Sequence, residues 1–200
     1  LKEYARLARS YDNRWSSYVG ATVKETIARL KPGAGERVLD VGCGTGALLC
    51  ALGASSPGLS LTGIDPSREM LEVARGRLER TADLREAWAE KLPFGEASFD
   101  AVVSCSVFHY FREPGRALAE MRRVLVPGGR LVITDWCDDY LSCRLCGLYL
   151  RLRRRPFSRI HKSAELKRML GEVGFTGVGV ERYRLDWLWG LMTANGERPV

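Results

Sequence analysis

The sequence predicts an α/β fold: a seven-stranded, mostly parallel sheet with an antiparallel terminal strand and helices on both faces. Three observations lead there. Apolar runs alternate with amphipathic stretches from Val38 onward, the first run ends in a glycine-rich turn, and the last two runs have no helix between them. Strand–helix–strand alternation with short connections means parallel strands joined by right-handed crossovers. Two consecutive strands instead need a hairpin and pair antiparallel.

The elements follow in order. Residues 1–31 read as an N-terminal helical cap, with Tyr4, Tyr11, Trp15 and Tyr18 spaced to share one helix face. Such a face either packs on the domain or covers a ligand, and Tyr11 and Trp15 are the candidate lid residues. Residues 32–200 form the main domain. Val38–Val41, Leu59–Ile64, Leu84–Trp88, Phe99–Cys105 and Arg130–Asp135 carry the β-branched, apolar character of strands. Helical spacing is seen at Leu48–Ala54, Arg68–Leu78 and Pro114–Leu125. In the last, Ala117, Leu118, Met121, Val124 and Leu125 fall on one face, and Pro127-Gly128-Gly129 is expected to end it. A further helix spans Tyr140 to Leu152. Ser163 is placed to cap another, which stops near Gly174. Val178–Leu185 and Leu188–Thr193 are the hairpin strands.

Composition bounds the function. Two hundred residues, 46% of them hydrophobic and 28% charged, suit one domain with a proper core. No apolar run approaches the roughly 18–20 residues of a membrane span. The net charge of +7 owes much to Arg151, Arg153, Arg154, Arg155, Arg159 and Lys162. This cluster reads first as a solvated rim and second as a phosphate or lipid-headgroup contact. It lacks the interleaved aromatics of a base-stacking platform, so no nucleic-acid partner is expected. Beside it, His161 reads as ordinary surface. Six cysteines in a chain with this much core read as reduced thiols in a cytoplasmic protein. Cys137, Cys143 and Cys146 have a spacing that invites a zinc reading. Cys143 and Cys146 fall in a helix, however, where i,i+3 spacing serves packing, and no metal is expected.

The chemistry starts at Val38-Leu-Asp-Val-Gly-Cys-Gly-Thr-Gly-Ala47, a strand entering a helix through three alternate glycines. Glycine allows a tight turn and lets a ligand touch the main chain. The carboxyl end of a parallel strand is the usual ligand crevice of such sheets. Gly42-x-Gly44-x-x-Ala47, followed by Asp65, also satisfies a dinucleotide fingerprint. Three features count against that reading. Asp40 would repel a pyrophosphate yet suits an ammonium or sulfonium, little chain remains for a substrate domain, and the terminal strand pair does not match a second mononucleotide half.

Four motifs in sequence make the chain similar to the class I S-adenosylmethionine-dependent methyltransferases. It is close to the small-molecule group that includes the ubiquinone/menaquinone-biosynthesis type. They are Val38–Gly46, Gly63-Ile-Asp-Pro-Ser-Arg-Glu-Met-Leu71, Leu92-Pro-Phe94 with Ser98-Phe-Asp100, and Leu125-Val-Pro-Gly-Gly-Arg-Leu131. The resemblance implies a Rossmann-like fold, S-adenosylmethionine as cofactor and a small-molecule methyl acceptor. It implies that backbone groups of Gly42, Cys43 and Gly44 line the methionine moiety, with Asp40 near its amino group. Asp65 would accept from both ribose hydroxyls, Pro66 and Met70 would border the adenine, and Ser104 and Cys105 would approach the methionine end. Relatives often carry Asp-Ala-Glu before Leu-Pro-Phe, the Asp binding the adenine amino group, whereas this chain has Trp88-Ala89-Glu90. Indole offers only a donor. Either Trp88 packs on the adenine, or the backbone near Ala89 and Glu90 takes over recognition, or binding is weaker.

Methyl transfer needs alignment above all, and a base only where the acceptor carries a proton. His109, a few residues beyond the fourth strand, is the candidate base; a purely structural histidine is the other reading. A non-catalytic cofactor binder and a nicotinamide oxidoreductase are the alternative functions.

Overall fold

The computed structural model describes residues 11–79, 81–152 and 159–200. Its strands are β1 (Arg37–Val41), β2 (Ser60–Asp65), β3 (Ala82–Glu86), β4 (Phe99–Cys105), β5 (Leu125–Trp136), β6 (Thr176–Arg184) and β7 (Gly190–Glu197). They make one sheet in the order β3-β2-β1-β4-β5-β7-β6. The first five pair in parallel. β7 runs antiparallel to both neighbours, between β5 and β6. The antiparallel strand is therefore last in sequence but internal to the sheet.

The described helices are α1 (Tyr11–Leu30), α2 (Ala47–Ser55), α3 (Arg68–Leu78), α4 (Pro114–Val124), α5 (Leu141–Leu152) and α6 (Ser163–Val173). Strand alternation sorts the core into two layers. Val38, Leu61, Ala101, Val103 and Val132 pack with Leu49, Leu52 and Leu71 on one side. Leu39, Val102, Leu131 and Ile133 pack with Leu118, Met121 and Leu166 on the other. With both faces covered, β1 and β4 are buried at most positions rather than at alternate ones. α3 shows the local logic. Ser67 caps it by accepting from the Met70 amide at 3.3 Å, and Glu69 and Arg75 complement its dipole. Its buried face is Met70, Leu71, Ala74 and Leu78, where Leu71→Ala would cost roughly 2–5 kcal/mol. α1 lies across β4 and β5. Arg130 satisfies its C-terminal carbonyls at Leu30 (2.8 Å) and Lys31 (3.2 Å) while holding Glu36.

Several local expectations are corrected. α4 ends at Val124, and Pro127-Gly128-Gly129 lies inside β5 as an irregularity. The last helix carbonyls, Arg123 and Val124, accept from Ala97 and Ser98, so the helix stops before the proline. Ser163 is not the cap of α6. Lys162 holds that position without a side-chain bond, and the Asp139 carboxylate accepts from both the amide and the hydroxyl of Ser163. β3 ends at Glu86, which leaves Trp88 beyond it. His161 is not surface but 6% exposed: it bridges to Cys137, and its ring meets Phe108 at 5.4 Å. Tyr4 and Arg153 to Arg155 lie outside the described residues, as do the side chains of Tyr11, Trp15 and Arg151.

Candidate active site

The turn after β1 is spent on its own construction. The amides of Gly42 and Cys43 both donate to the Ile64 carbonyl, at 2.8 and 2.9 Å, and the Gly46 amide donates to Cys43. The Gly44 amide donates to Asp65 Oδ2 at 3.0 Å. Gly42 has φ +82°, and a Cβ there would stand 2.6 Å from Val107. The loop from β4 can close on β1 only over a glycine. Gly44, at φ +51°, has open space where a side chain would be. With these amides engaged, the turn does not present them as an anion cradle. It offers Cα surface beside carboxylates.

Two such carboxylates sit at the ends of adjacent strands. Asp65, 8% exposed, accepts from the Ser67 amide at 2.8 Å on Oδ1 and from Gly44 on Oδ2. An ionised carboxylate offers about four acceptor positions, so each oxygen keeps one for a ligand, a match for a vicinal diol. Burial pushes the Asp65 pKa up, opposed by these two backbone bonds. Asp40 is 1% exposed, and its Oδ1 has no hydrogen-bond partner among the described residues. Burial, and then the neighbouring Asp65 charge, push its pKa up to about 8. A buried acid without a donor is costly to ionise, and a cationic group beside it would reverse that balance. Cys43, 7% exposed, stands close enough to both carboxylates for their charges to raise its pKa further after burial.

The far end of this region follows β3. The Ala87 amide donates to the Asp65 carbonyl at 3.3 Å, keeping the chain against β2 as it leaves the sheet. Trp88 comes next and is 44% exposed, with the Arg112 guanidinium 5.2 Å from its ring centre. Ala89 is buried, and Glu90 Oε1 accepts from the Arg112 amide at 3.1 Å. Pro66 is half-buried and Met70 buried. α4 explains the Leu92-Pro-Phe94 motif. Arg123 donates to the Leu92 and Phe94 carbonyls, and Glu120 accepts from the Leu92 amide at 2.8 Å.

Across the sheet, the ends of β4 and β5 carry a side-chain cluster. His109 lies in a 3-10 turn, Phe108–Tyr110. It is 2% exposed, and its Nδ1 meets Asp135 Oδ1 at 2.6 Å while its amide donates to Asp135 Oδ2 at 2.9 Å. The imidazole stacks on Trp136 (4.5 Å, 9°) and Trp136 stacks on Trp189 (5.0 Å). From α1, Tyr18 accepts from Trp136 Nε1 at 2.6 Å and its hydroxyl lies 2.9 Å from Ser106 Oγ. Burial, then the Asp135 charge, raise the Tyr18 pKa well above that of an ordinary phenol. Ser106 itself has φ +58°, held there by its amide bond to the Thr134 carbonyl at 2.8 Å. Ser104 is fully buried, and its hydroxyl has no hydrogen-bond partner among the described residues. Cys105 is half-buried with Thr26 Oγ1 3.4 Å away.

Asp135, Trp136, Trp189 and Ser106 were not singled out from the sequence. A signal existed for one of them: Asp135 is a lone acid in an apolar strand run, as Asp40 is in β1. None of the six cysteines is in a disulfide, and no cluster of metal-binding side chains occurs among the described residues. No described helix is long and apolar enough to cross a membrane.

Comparison with known proteins agrees with this layout. Residues 39–133 match the family model described as a methyltransferase domain. An O-methyltransferase of Penicillium expansum, cnsE, is 34% identical over 80% of this chain and 59% of its own length. A demethylmenaquinone methyltransferase of Thermotoga maritima is 38% identical over 68% of this chain and 60% of its own. The chain thus spans about three-fifths of these two relatives. Among solved structures, a chain of the Haloferax volcanii complex between the Trm112 methyltransferase activator and a methyltransferase superposes with TM-score 0.86. At 21% identity it covers 99% of this chain and 98% of that one, a likeness that concerns the fold alone.

Proposed function

We propose that the chain is a class I S-adenosylmethionine-dependent methyltransferase that binds this cofactor and methylates a small molecule, a reading its methyltransferase-domain match and its relatives support. The observation that carries the reading is the turn after β1. Its amides at Gly42, Cys43 and Gly44 are already engaged, while Asp40 and Asp65 stand beside it. That suits a cationic methionine end and a ribose diol better than a pyrophosphate, which needs free amides at a helix start. Asp65 holds the diol, Asp40 faces the ammonium, Gly42 to Gly44 give the close approach, and Ser104 and Cys105 border the reacting end. When bound, the cofactor supplies the electrophilic methyl group.

For the adenine we assign Trp88. One face of its ring lies under Arg112, the indole remains 44% exposed, and β3 delivers it next to the ribose carboxylate. An aromatic face holds a purine by stacking. Met70 and Pro66 border the same end, and Ala89 and Glu90 shape the loop through Glu90's bond to Arg112.

The acceptor then lies over the ends of β4 and β5. His109 is the candidate base where the acceptor atom carries a proton. Asp135 holds Nδ1 and so fixes the orientation of the ring. α1 brings Tyr18 to the same place, which supports residues 11–31 as a lid over the acceptor. Cysteines outside any disulfide fit a reducing, cytoplasmic setting.

Thermal unfolding with S-adenosylmethionine, S-adenosylhomocysteine and NAD tests the cofactor. The first two should raise the melting temperature by mass action; stabilisation by NAD alone would sink the proposal. Formation of S-adenosylhomocysteine with a panel of phenols, quinols, amines and thiols tests turnover. Binding without turnover on every acceptor would mark a non-catalytic relative.

A further inference from the structure

Helix α5 carries a largely exposed apolar face. Leu141, Leu145, Leu148, Tyr149 and Leu152 are 66%, 59%, 55%, 52% and 75% exposed. At roughly 100° per residue the five share one stripe, while Cys143 and Gly147 on the opposite side are buried. Single exposed leucines are ordinary, but a continuous stripe of them is not. A second apolar group stands at the same edge. Trp187, in the turn between β6 and β7, is 82% exposed. Arg184 joins the turn to the helix: it donates to the Trp187 carbonyl at 3.0 Å, and its guanidinium lies 4.7 Å over the ring of Tyr140, the residue before α5.

Charge says what covers this face. Between Asp139 and Glu165 the sequence holds seven basic residues and no acidic one. Of their described side chains, Arg144 and Lys162 are exposed, as is Arg159, which pairs with Glu165. A second copy of the chain would set one basic stretch against another. A surface that is apolar in depth and negative at its face fits both features.

We propose that α5 and Trp187 form a docking surface for an anionic lipid bilayer. The helix lies in the plane of the interface with its leucine stripe among the acyl chains. Arg144 sits at headgroup level, and Trp187 takes the boundary position that indole prefers. No span is involved. The proposal is independent of the reaction assigned above, although α5 begins shortly after Trp136. Docking would therefore bring the acceptor end of the site near the membrane.

Vesicle flotation tests it, with vesicles of phosphatidylcholine alone and of phosphatidylcholine mixed with phosphatidylglycerol. The protein should float with the mixed vesicles, about tenfold less with the neutral ones, and less again as salt screens the attraction. The double variant Leu145→Gln, Leu148→Gln should lose about tenfold in binding. Its unfolding temperature, and its stabilisation by S-adenosylhomocysteine, should stay those of the parent, because both side chains are exposed. No flotation with the mixed vesicles would overturn the proposal, as would equal flotation of the double variant. A lipid-free dimer by light scattering that the variant splits would also overturn it, assigning the face to a second copy.

Discussion

The carboxyl edge of the sheet has two halves made from different materials. Around β1, β2 and β3 the site is mostly main chain: glycines, engaged amides and two acids at neighbouring strand ends. Around β4 and β5 it is side chain against side chain, with Tyr18, His109, Asp135, Trp136 and Trp189 in one connected cluster. A backbone cradle presents the same surface whatever packs behind it, which suits a ligand that does not vary. An aromatic and hydroxyl cluster changes shape with each substitution, which suits the partner that distinguishes one methyltransferase from another. Adjacent strands carry both, so the halves should be separable by mutation.

The largest expected effect lies in the second half. Asp135→Ala would strip the His109 amide, His109 Nδ1 and the Trp136 amide of their acceptor, at a cost of about 3 kcal/mol or more in urea unfolding. Affinity for S-adenosylhomocysteine should stay within a few-fold of the parent; a parallel collapse would break the separation. In the first half, Asp65→Ala should weaken that affinity by roughly two orders of magnitude in calorimetry, since two charge-assisted bonds vanish. Unchanged binding would remove Asp65 from the ribose role. Trp88→Ala should cost about tenfold, the scale of one stacked base. Loss of discrimination against a 6-oxo purine analogue in Trp88→Ala, but not in the parent, would count against stacking as the main contact.

The smallest effect at acidic pH, and a growing one above it, belongs to Asp40. Its folded pKa is raised to about 8 from the ordinary 3.8. Between those values the folded state binds more protons than the unfolded one, so stability falls as pH rises through the window. Asp40→Asn removes the titration. The variant and parent should melt alike near pH 4, and the variant a few degrees higher near pH 8. A parent that melts at the same temperature across that range would show Asp40 to be otherwise compensated.

The same contrast explains what could be read from the sequence. Asp40, the glycines and Asp65 fall in short motifs whose geometry is local: a strand, a turn and a helix start. Each motif can be read on its own, although the two meet only through the Ile64 and Asp65 acceptors. The other half is assembled from Tyr18, Ser106, Trp136 and Trp189, which meet only because α1 crosses β4 and β5 and β7 inserts beside β5. Periodicity locates those elements but does not say which of their residues touch. His161 failed for the same reason. Its basic neighbours suggest surface, yet its bridge to Cys137 draws it under Phe108. Pro127-Gly-Gly129 failed differently, because a turn signal also serves as a bulge where a strand bends.

The insertion of β7 between two earlier strands also bears on how the molecule is made. Synthesis runs from the N-terminus, so β5 and β6 both leave the ribosome before the strand that joins them. Until residues 190–197 follow, β5 carries an open, apolar edge able to pair with another nascent chain. Arg198, which reaches the Arg122, Arg123 and Leu125 carbonyls at 3.4, 2.8 and 2.6 Å, arrives after β7 and fastens the junction of α4 and β5. The β4 and β5 half of this edge, whose Trp189 precedes β7 by one residue, is therefore among the last parts of the molecule to be completed.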